Sequence, residues 1–399
     1  MSRVDPLGSV TSVPGFRAGA TYAGIKTYGE GKLDVAILVA DRPCNAAGTF
    51  TKNRLHAASV DVDRLKLEDR RGQAVVINAG VANSNTGERG FGDAMRLTEW
   101  VAAKLGLHQD DVFVCSTGVI GHFLPMEKLE NGVRAIELSN GGGVDLANAI
   151  MTTDTRPKHG SVSFGPFTIG GCVKGSGMIH PNMATMLAFL VTDAPVEAGF
   201  LQEALSSAVD ESFNLVSVDG DTSPSDTVLF LARDPDDGVE RIASDHHLAG
   251  EFRTALADLS SYLAREIARD GEGATKLLEV KVGTAASMAE ARELVRLLAT
   301  SYLLKSAVHG ADPNWGRIVA IIGRSSVEVD EPTVKVSVCG HTVFEKEEPT
   351  DFDETTVSRA MEGDTVTIEI ELGVGDGSAT GWGCDLTSEY VHINADYHT

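Results

Sequence analysis

The chain has 399 residues, 42% of them hydrophobic and 23% charged, which is enough apolar material for a large core or two and rules against a disordered chain. Its net charge of −23 repels phosphate backbones and anionic lipid headgroups, so nucleic acid and membrane surfaces are poor partners. Five widely spaced cysteines without a C-x-x-C pair read as reduced thiols in a cytoplasmic protein, and no stretch approaches the ~20 apolar residues that span a bilayer.

Met1–Val10 has no apolar signal core. Ala74–Ile77, Val112–Val114, Ala184–Val191 and Thr227–Ala232 are short apolar runs that predict buried strands. Between them Met95, Leu97, Trp100, Val101 and Leu105 make a partly amphipathic set. Leu256, Leu259, Leu263 and Ile267 fall on one helical face. After Leu278 the pattern changes to a helix over Ser287–Ser301, then alternating segments at Thr333–Val338, His341–Phe344 and Asp364–Leu372. In the last of these, Val366, Ile368 and Ile370 oppose Thr367, Glu369 and Glu371. We therefore expect a main α/β domain over 1–280 and a smaller C-terminal α+β domain over 281–399. The acidic stretch Glu345–Glu354 reads as a solvated loop.

Val112–Gly121 is an apolar strand opening into a Thr117-Gly118 turn, where a backbone N–H and a hydroxyl can form an oxyanion hole; the plain alternative is a tight turn. Cys115 beside it reads as a buried thiol, not a nucleophile. Gly175, Gly177, Pro181 and Asn182 break regular structure just before an apolar strand, leaving the Thr185 hydroxyl at a loop-to-strand junction. Such a hydroxyl can attack the Ala184 carbonyl, and cleavage would free an α-amine titrating near ~7.7 as general base. A phosphate-binding loop or a simple turn fits the bare pattern as well.

Arg269–Lys276 interleaves charge with Gly271 and Gly273, which makes Glu272 either a ligand for a substrate ammonium or part of an acidic helix cap. Val308–Arg317 reads as a structured loop, and the aromatic C-terminus as docked against the body. The histidines show no ligand spacing, so no metal is expected.

Together these segments resemble the ornithine acetyltransferase family, the bifunctional glutamate N-acetyltransferases of arginine biosynthesis. The likeness covers Pro14–Phe16, Asn78–Asn83, Ser116–Gly121, Ala149–Thr155, Gly170–Leu187, Asp270–Lys276, Asp312–Arg317 and the terminus, in family order. It implies a self-cleaving N-terminal-nucleophile sandwich of sheets between helices, cut between Ala184 and Thr185 into an α chain 1–184 and a β chain 185–399. These usually assemble as a heterotetramer of two α and two β chains. Thr185 is then the nucleophile, Thr117 and Gly118 form the oxyanion hole, and Thr152, Lys174, Thr185, Glu272, Asn394 and Thr399 contact substrate. The implied reaction carries acetyl from N2-acetyl-L-ornithine to L-glutamate with no cofactor, and the resemblance also allows acetyl-CoA as a donor. A self-cleaving aminopeptidase or amidase, and an uncleaved amino-acid-binding protein, are the rival readings.

Overall fold

The computed structural model describes residues 4–26, 31–180, 186–234 and 239–396. Its strands form two sheets. The first runs in the order Val112–Val119, Arg71–Val81, Val35–Phe50, Thr227–Arg233, Leu187–Thr192, Phe167–Lys174, Lys158–Phe164, with Phe16–Thr21 paired to the first half of Val35–Phe50. Arg71–Val81 with Val112–Val119, and Leu187–Thr192 with Thr227–Arg233, are the parallel pairs.

Both faces of this sheet are covered, which is why its strands read as unbroken apolar runs. On one face Ala188, Leu190, Val228 and Phe230 meet Leu256, Leu259, Leu263 and Ile267 of the helix Ala249–Arg269. Farther along, Ile37, Val76 and Val114 pack on Leu97 and Val101 of the helix Gly87–Leu105. The opposite face gathers Leu38, Val75, Phe113, Phe189 and Leu231 under Leu146 and Ala147 of the helix Gly143–Ala149. The fold is mixed α/β, with helices on both faces of the larger sheet.

The second sheet runs Glu348–Pro349, His341–Glu345, Lys335–Val338, Thr365–Glu371, Leu277–Ala285, Gly377–Cys384, Val216–Ser217. Only one face is fully buried: Val366, Ile368 and Ile370 join Val280, Val282, Leu294 and Leu298 in a separate core, so this strand shows alternation. The helix supplying the last two, Met288–Ala299, starts where Ser287 Oγ accepts Glu290 N–H (3.3 Å).

Three segments differ from the sequence reading. Val308–Arg317 is the end of the helix Tyr302–His309, a turn, and the start of the helix Trp315–Arg324, whose Trp315 ring stacks on Phe344 at 5.1 Å. Within Glu345–Glu354, Lys346 and Glu347 both take positive φ (55° and 62°) and close a hairpin between His341–Glu345 and Glu348–Pro349. That is the two-residue turn geometry usually marked by Asn or Gly, and neither is present to signal it. Thr117-Gly118, read as a turn, lies inside the strand Val112–Val119.

Candidate active site

The strand ends place the first two site residues. Asn78–Val81 runs parallel to Ser116–Val119, with Gly80 opposite Gly118. Gly118 has φ +127°, and a Cβ there would lie 2.3 Å from the Gly80 carbonyl carbon, so only glycine fits. This close approach replaces the expected turn. Behind it the Ser116 hydroxyl donates to Asn78 Oδ1 (2.7 Å), and Asn78 Nδ2 donates to Val81 O (2.9 Å). Cys115 is buried against Asp63; burial first, then that carboxyl, pushes its thiol well up, so it is no nucleophile.

Lys174 ends the strand Phe167–Lys174, fully enclosed, with Nζ 3.5 Å from Thr117 Oγ1. Burial lowers its ammonium from the usual lysine range, while Asp154, Glu272 and Asp226 pull the other way. Asp154 is the hub of the support. Its Oδ1 accepts from Lys158 Nζ (2.6 Å) and Gly175 N (2.7 Å), and its Oδ2 from Thr152 N (2.9 Å). Burial alone would raise this carboxyl, but the Lys158 and Lys174 ammoniums and the Gly175 N–H hold it well below the carboxylate range. Lys158 Nζ also reaches Asp270 Oδ2 (2.5 Å), which takes Thr155 N–H (3.1 Å). One buried cation thus ties the loop carrying Thr152 to the run carrying Glu272.

Glu272 is 7% exposed; its N–H donates to Ser176 O (3.0 Å), and its Oε2 accepts from Asn394 Nδ2 (2.8 Å) on the helix Ser388–Asp396. A Cβ on Gly177 would come 2.2 Å from Glu272 Oε1, so the carboxylate lies directly on that glycine. Asp219 secures the loop beyond it, accepting Met178 N (2.6 Å) and Ile179 N (2.9 Å). Burial pushes Asp219 up to about 6.

Thr117, Gly118, Thr152, Lys174, Glu272 and Asn394, six of the residues singled out in the sequence, line a single cavity, with Gly177, Ser223 and Ser225 also in its wall. Ala184, Thr185 and Thr399 lie outside the described residues. Lys174, Glu272, Thr117 and Gly118 thus share one cavity wall, a set of residue types suited to holding a zwitterion while negative charge grows on a carbonyl oxygen.

A family model described as the ArgJ family matches residues 17–399. The chain belongs to the ArgJ family. It is 46% identical over 398 residues to the arginine biosynthesis bifunctional protein ArgJ of Dehalococcoides mccartyi, covering 99% of this chain and 98% of that one. With the protein of the same name from Deinococcus radiodurans it is 47% identical, over 99% of this chain and all of that one. The crystal structure of the ArgJ protein of Bacillus halodurans matches at 41% identity and TM-score 0.50, covering 52% of this chain and 98% of that chain.

In this ArgJ family member, sequence reasoning missed Lys158, Asp219, Ser223, Ser225 and Asp226. Ser225 Oγ is buried in the cavity wall and no described residue bonds it. The run Ser223-Pro224-Ser225-Asp226, polar turn-formers just before an apolar strand, was the available signal. All five cysteines are free, and among the described residues no helix is long and apolar enough to cross a membrane.

Proposed function

We propose that this chain cuts itself between Ala184 and Thr185 and then uses Thr185 to carry acetyl from N2-acetyl-L-ornithine to L-glutamate. ArgJ family membership makes it an acyltransferase of arginine biosynthesis; the self-cleavage, the acetyl-threonine and the substrates are our reading. The observation that carries it is that buried Lys174 and Glu272 both line the cavity that holds Thr117 and Gly118, since an amino-acid substrate offers a carboxylate and an ammonium to match them. The half-length of the solved Bacillus halodurans chain supports a break near mid-chain.

In the first stage the Thr185 hydroxyl adds to the Ala184 carbonyl, the C–N bond breaks to an ester, and water hydrolyses it, leaving a free α-amine on Thr185. In the second, that amine takes the hydroxyl proton as Oγ attacks the acetyl carbonyl. The Gly118 N–H and the Thr117 hydroxyl meet the oxyanion, each such donor being worth ~2.7–4 kcal/mol. The leaving α-amine of ornithine takes the proton, and the glutamate amine then removes acetyl from Thr185. The strands Phe167–Lys174 and Leu187–Thr192 pair across the junction, so the 1–184 and 185–399 chains stay joined through one sheet after the cut. We assign them to a heterotetramer of two copies of each, and assign acetyl-CoA as a second donor, in keeping with the bifunctional name of the relatives.

Mass spectrometry of active protein should find a new amino terminus at Thr185, and Thr185→Ala should give a single 42.2 kDa chain without transfer. Acetyl transfer to glutamate should outrun hydrolysis with N-acetylornithine, and also proceed with acetyl-CoA. Hydrolysis as the main outcome would favour an amidase instead, and an intact wild-type chain that still transfers acetyl would defeat the proposal.

A further inference from the structure

The proposed transfer asks one cavity to take two amino acids in turn, and their side chains end in opposite charges. Ornithine carries a δ-ammonium and glutamate a γ-carboxylate, while the α-carboxylate and α-nitrogen are common to both. In the proposed reaction Lys174 and Glu272 answer the shared groups, and Thr117 with Gly118 the acetyl oxygen. None of these four is left for the end that differs. A fixed charge placed there would attract one substrate and repel the other.

Ser225 has the chemistry for both. It lies in the wall of the same cavity, 4% exposed, and its Oγ is buried without a hydrogen-bond partner among the described residues. Among those residues, no other side chain of this wall has a buried oxygen or nitrogen left unpaired. Such a group costs stability until a ligand or a water completes it. A hydroxyl has one donor and two acceptor lone pairs, so by turning about its C–O bond it accepts from an ammonium or donates to a carboxylate.

The segment that carries it is pinned. The Thr51 hydroxyl donates to Ser223 O (2.7 Å), Ala57 N–H to Pro224 O (2.9 Å), Ser225 N–H to Ser223 Oγ (3.1 Å), and the Thr227 hydroxyl to Ser225 O (3.2 Å). Pro224 fixes a further torsion. Both backbone groups of Ser225 are therefore used by the fold, and its hydroxyl is not. The sheet sets the distance from Lys174: Lys174, Leu187 and Thr227 are in register across three neighbouring strands. Two strand spacings, roughly 10 Å, separate the backbones of Lys174 and Thr227, which leaves room for an amino acid between Lys174 and the Ser225 segment.

We infer that Ser225 reads the side-chain end of both substrates, accepting from the δ-ammonium of N-acetylornithine and donating to the γ-carboxylate of glutamate. The inference rests on the acetyl transfer proposed above.

The test compares Ser225→Ala with wild type on matched substrates. Norvaline has the carbon skeleton of both amino acids, with a methyl group where ornithine has its aminomethyl group and glutamate its carboxylate. For N-acetylornithine as donor, and for glutamate as acceptor, kcat/KM should fall about 10- to 150-fold, the range for a hydrogen bond to a charged group. For N-acetylnorvaline and norvaline in their places it should hardly change. Substrates are compared on one preparation, so the fraction of active enzyme cancels. Without ligand, Ser225→Ala should melt no lower than wild type, because it removes a buried hydroxyl that has no partner. Equal losses on charged and uncharged substrates overturn the inference, since they put the hydroxyl at the shared atoms. So do a loss confined to one of the two charged substrates, no loss on either, a variant inactive on N-acetylnorvaline, or a melting point several degrees lower. A wild-type enzyme that uses N-acetylnorvaline as well as N-acetylornithine overturns it too. A wild-type enzyme that moves no acetyl from N-acetylornithine to glutamate instead defeats the proposed function, a separate result of the same assays.

Discussion

Lys158→Met tests the support beneath the cavity. The Lys158 side chain is 1% exposed and is held between Asp154 and Asp270, at 0% and 3%. Those carboxylates in turn hold the N–H groups of Thr152, Gly175 and Thr155. Removing the ammonium strands two buried anions, and breaking a buried pair from one side costs about 3–5 kcal/mol. For a chain of 399 residues, an unfolding entropy of about 2.1 cal/mol/K per residue gives roughly 0.84 kcal/mol/K, so Tm should fall by about 4–6 °C at pH 7. The pH dependence has a definite sign. Asp154 is depressed in the folded state, so its contribution is present above about pH 4 and lost as pH falls towards the folded value. Without Lys158, burial dominates and the orphaned carboxyl takes a proton at higher pH, so the gap from wild type should narrow in acid. Scanning calorimetry at pH 7 and pH 4.5 measures both. A drop under about 1 °C at pH 7, against the cost of a broken buried pair, or a gap that widens in acid, would refute the reasoning.

Thr117→Ala removes one oxyanion donor, and kcat for acetyl transfer should fall by about 100- to 1,000-fold with little change in melting; an unchanged kcat would take Thr117 out of the hole. Gly177→Ala drives a methyl against the Glu272 carboxylate, and KM for N-acetylornithine should rise by roughly tenfold, about 1.4 kcal/mol, more than kcat falls. A fall in kcat with KM unchanged would mean that Glu272 acts only in the transition state. Asp219, lifted to about 6 by burial, contributes stability that is present below about pH 4 and lost as pH rises through 6, roughly 3 kcal/mol in all. Urea midpoints of Asp219→Asn should lack that decline between pH 4 and pH 7, and a slope equal to wild type would count against the assignment.

What the sequence made legible follows from where water reaches. Val112–Val114 and Thr227–Ala232 read as strands because both faces of their sheet are covered, and Val366, Ile368 and Ile370 alternate because one face of theirs is less buried. The helix Ala249–Arg269 showed itself through Leu256, Leu259, Leu263 and Ile267 for the same reason. The turn at Lys346-Glu347 stayed hidden because its left-handed φ values are carried by side chains that do not advertise them. The cavity is a different case. Thr117, Lys174, Glu272 and Asn394 are far apart in the chain, and no local pattern places them together; the family resemblance named them, and the sheet order explains how they meet. Lys158, Asp154 and Asp226 were hardest to see, because hydropathy assigns charged residues to water while these three are buried. Lys158 and Asp154 can stay buried because each is answered by an opposite charge or a backbone N–H. Asp226 is answered by the Met186 N–H, which donates to Oδ1 at 3.0 Å just before the strand Leu187–Thr192.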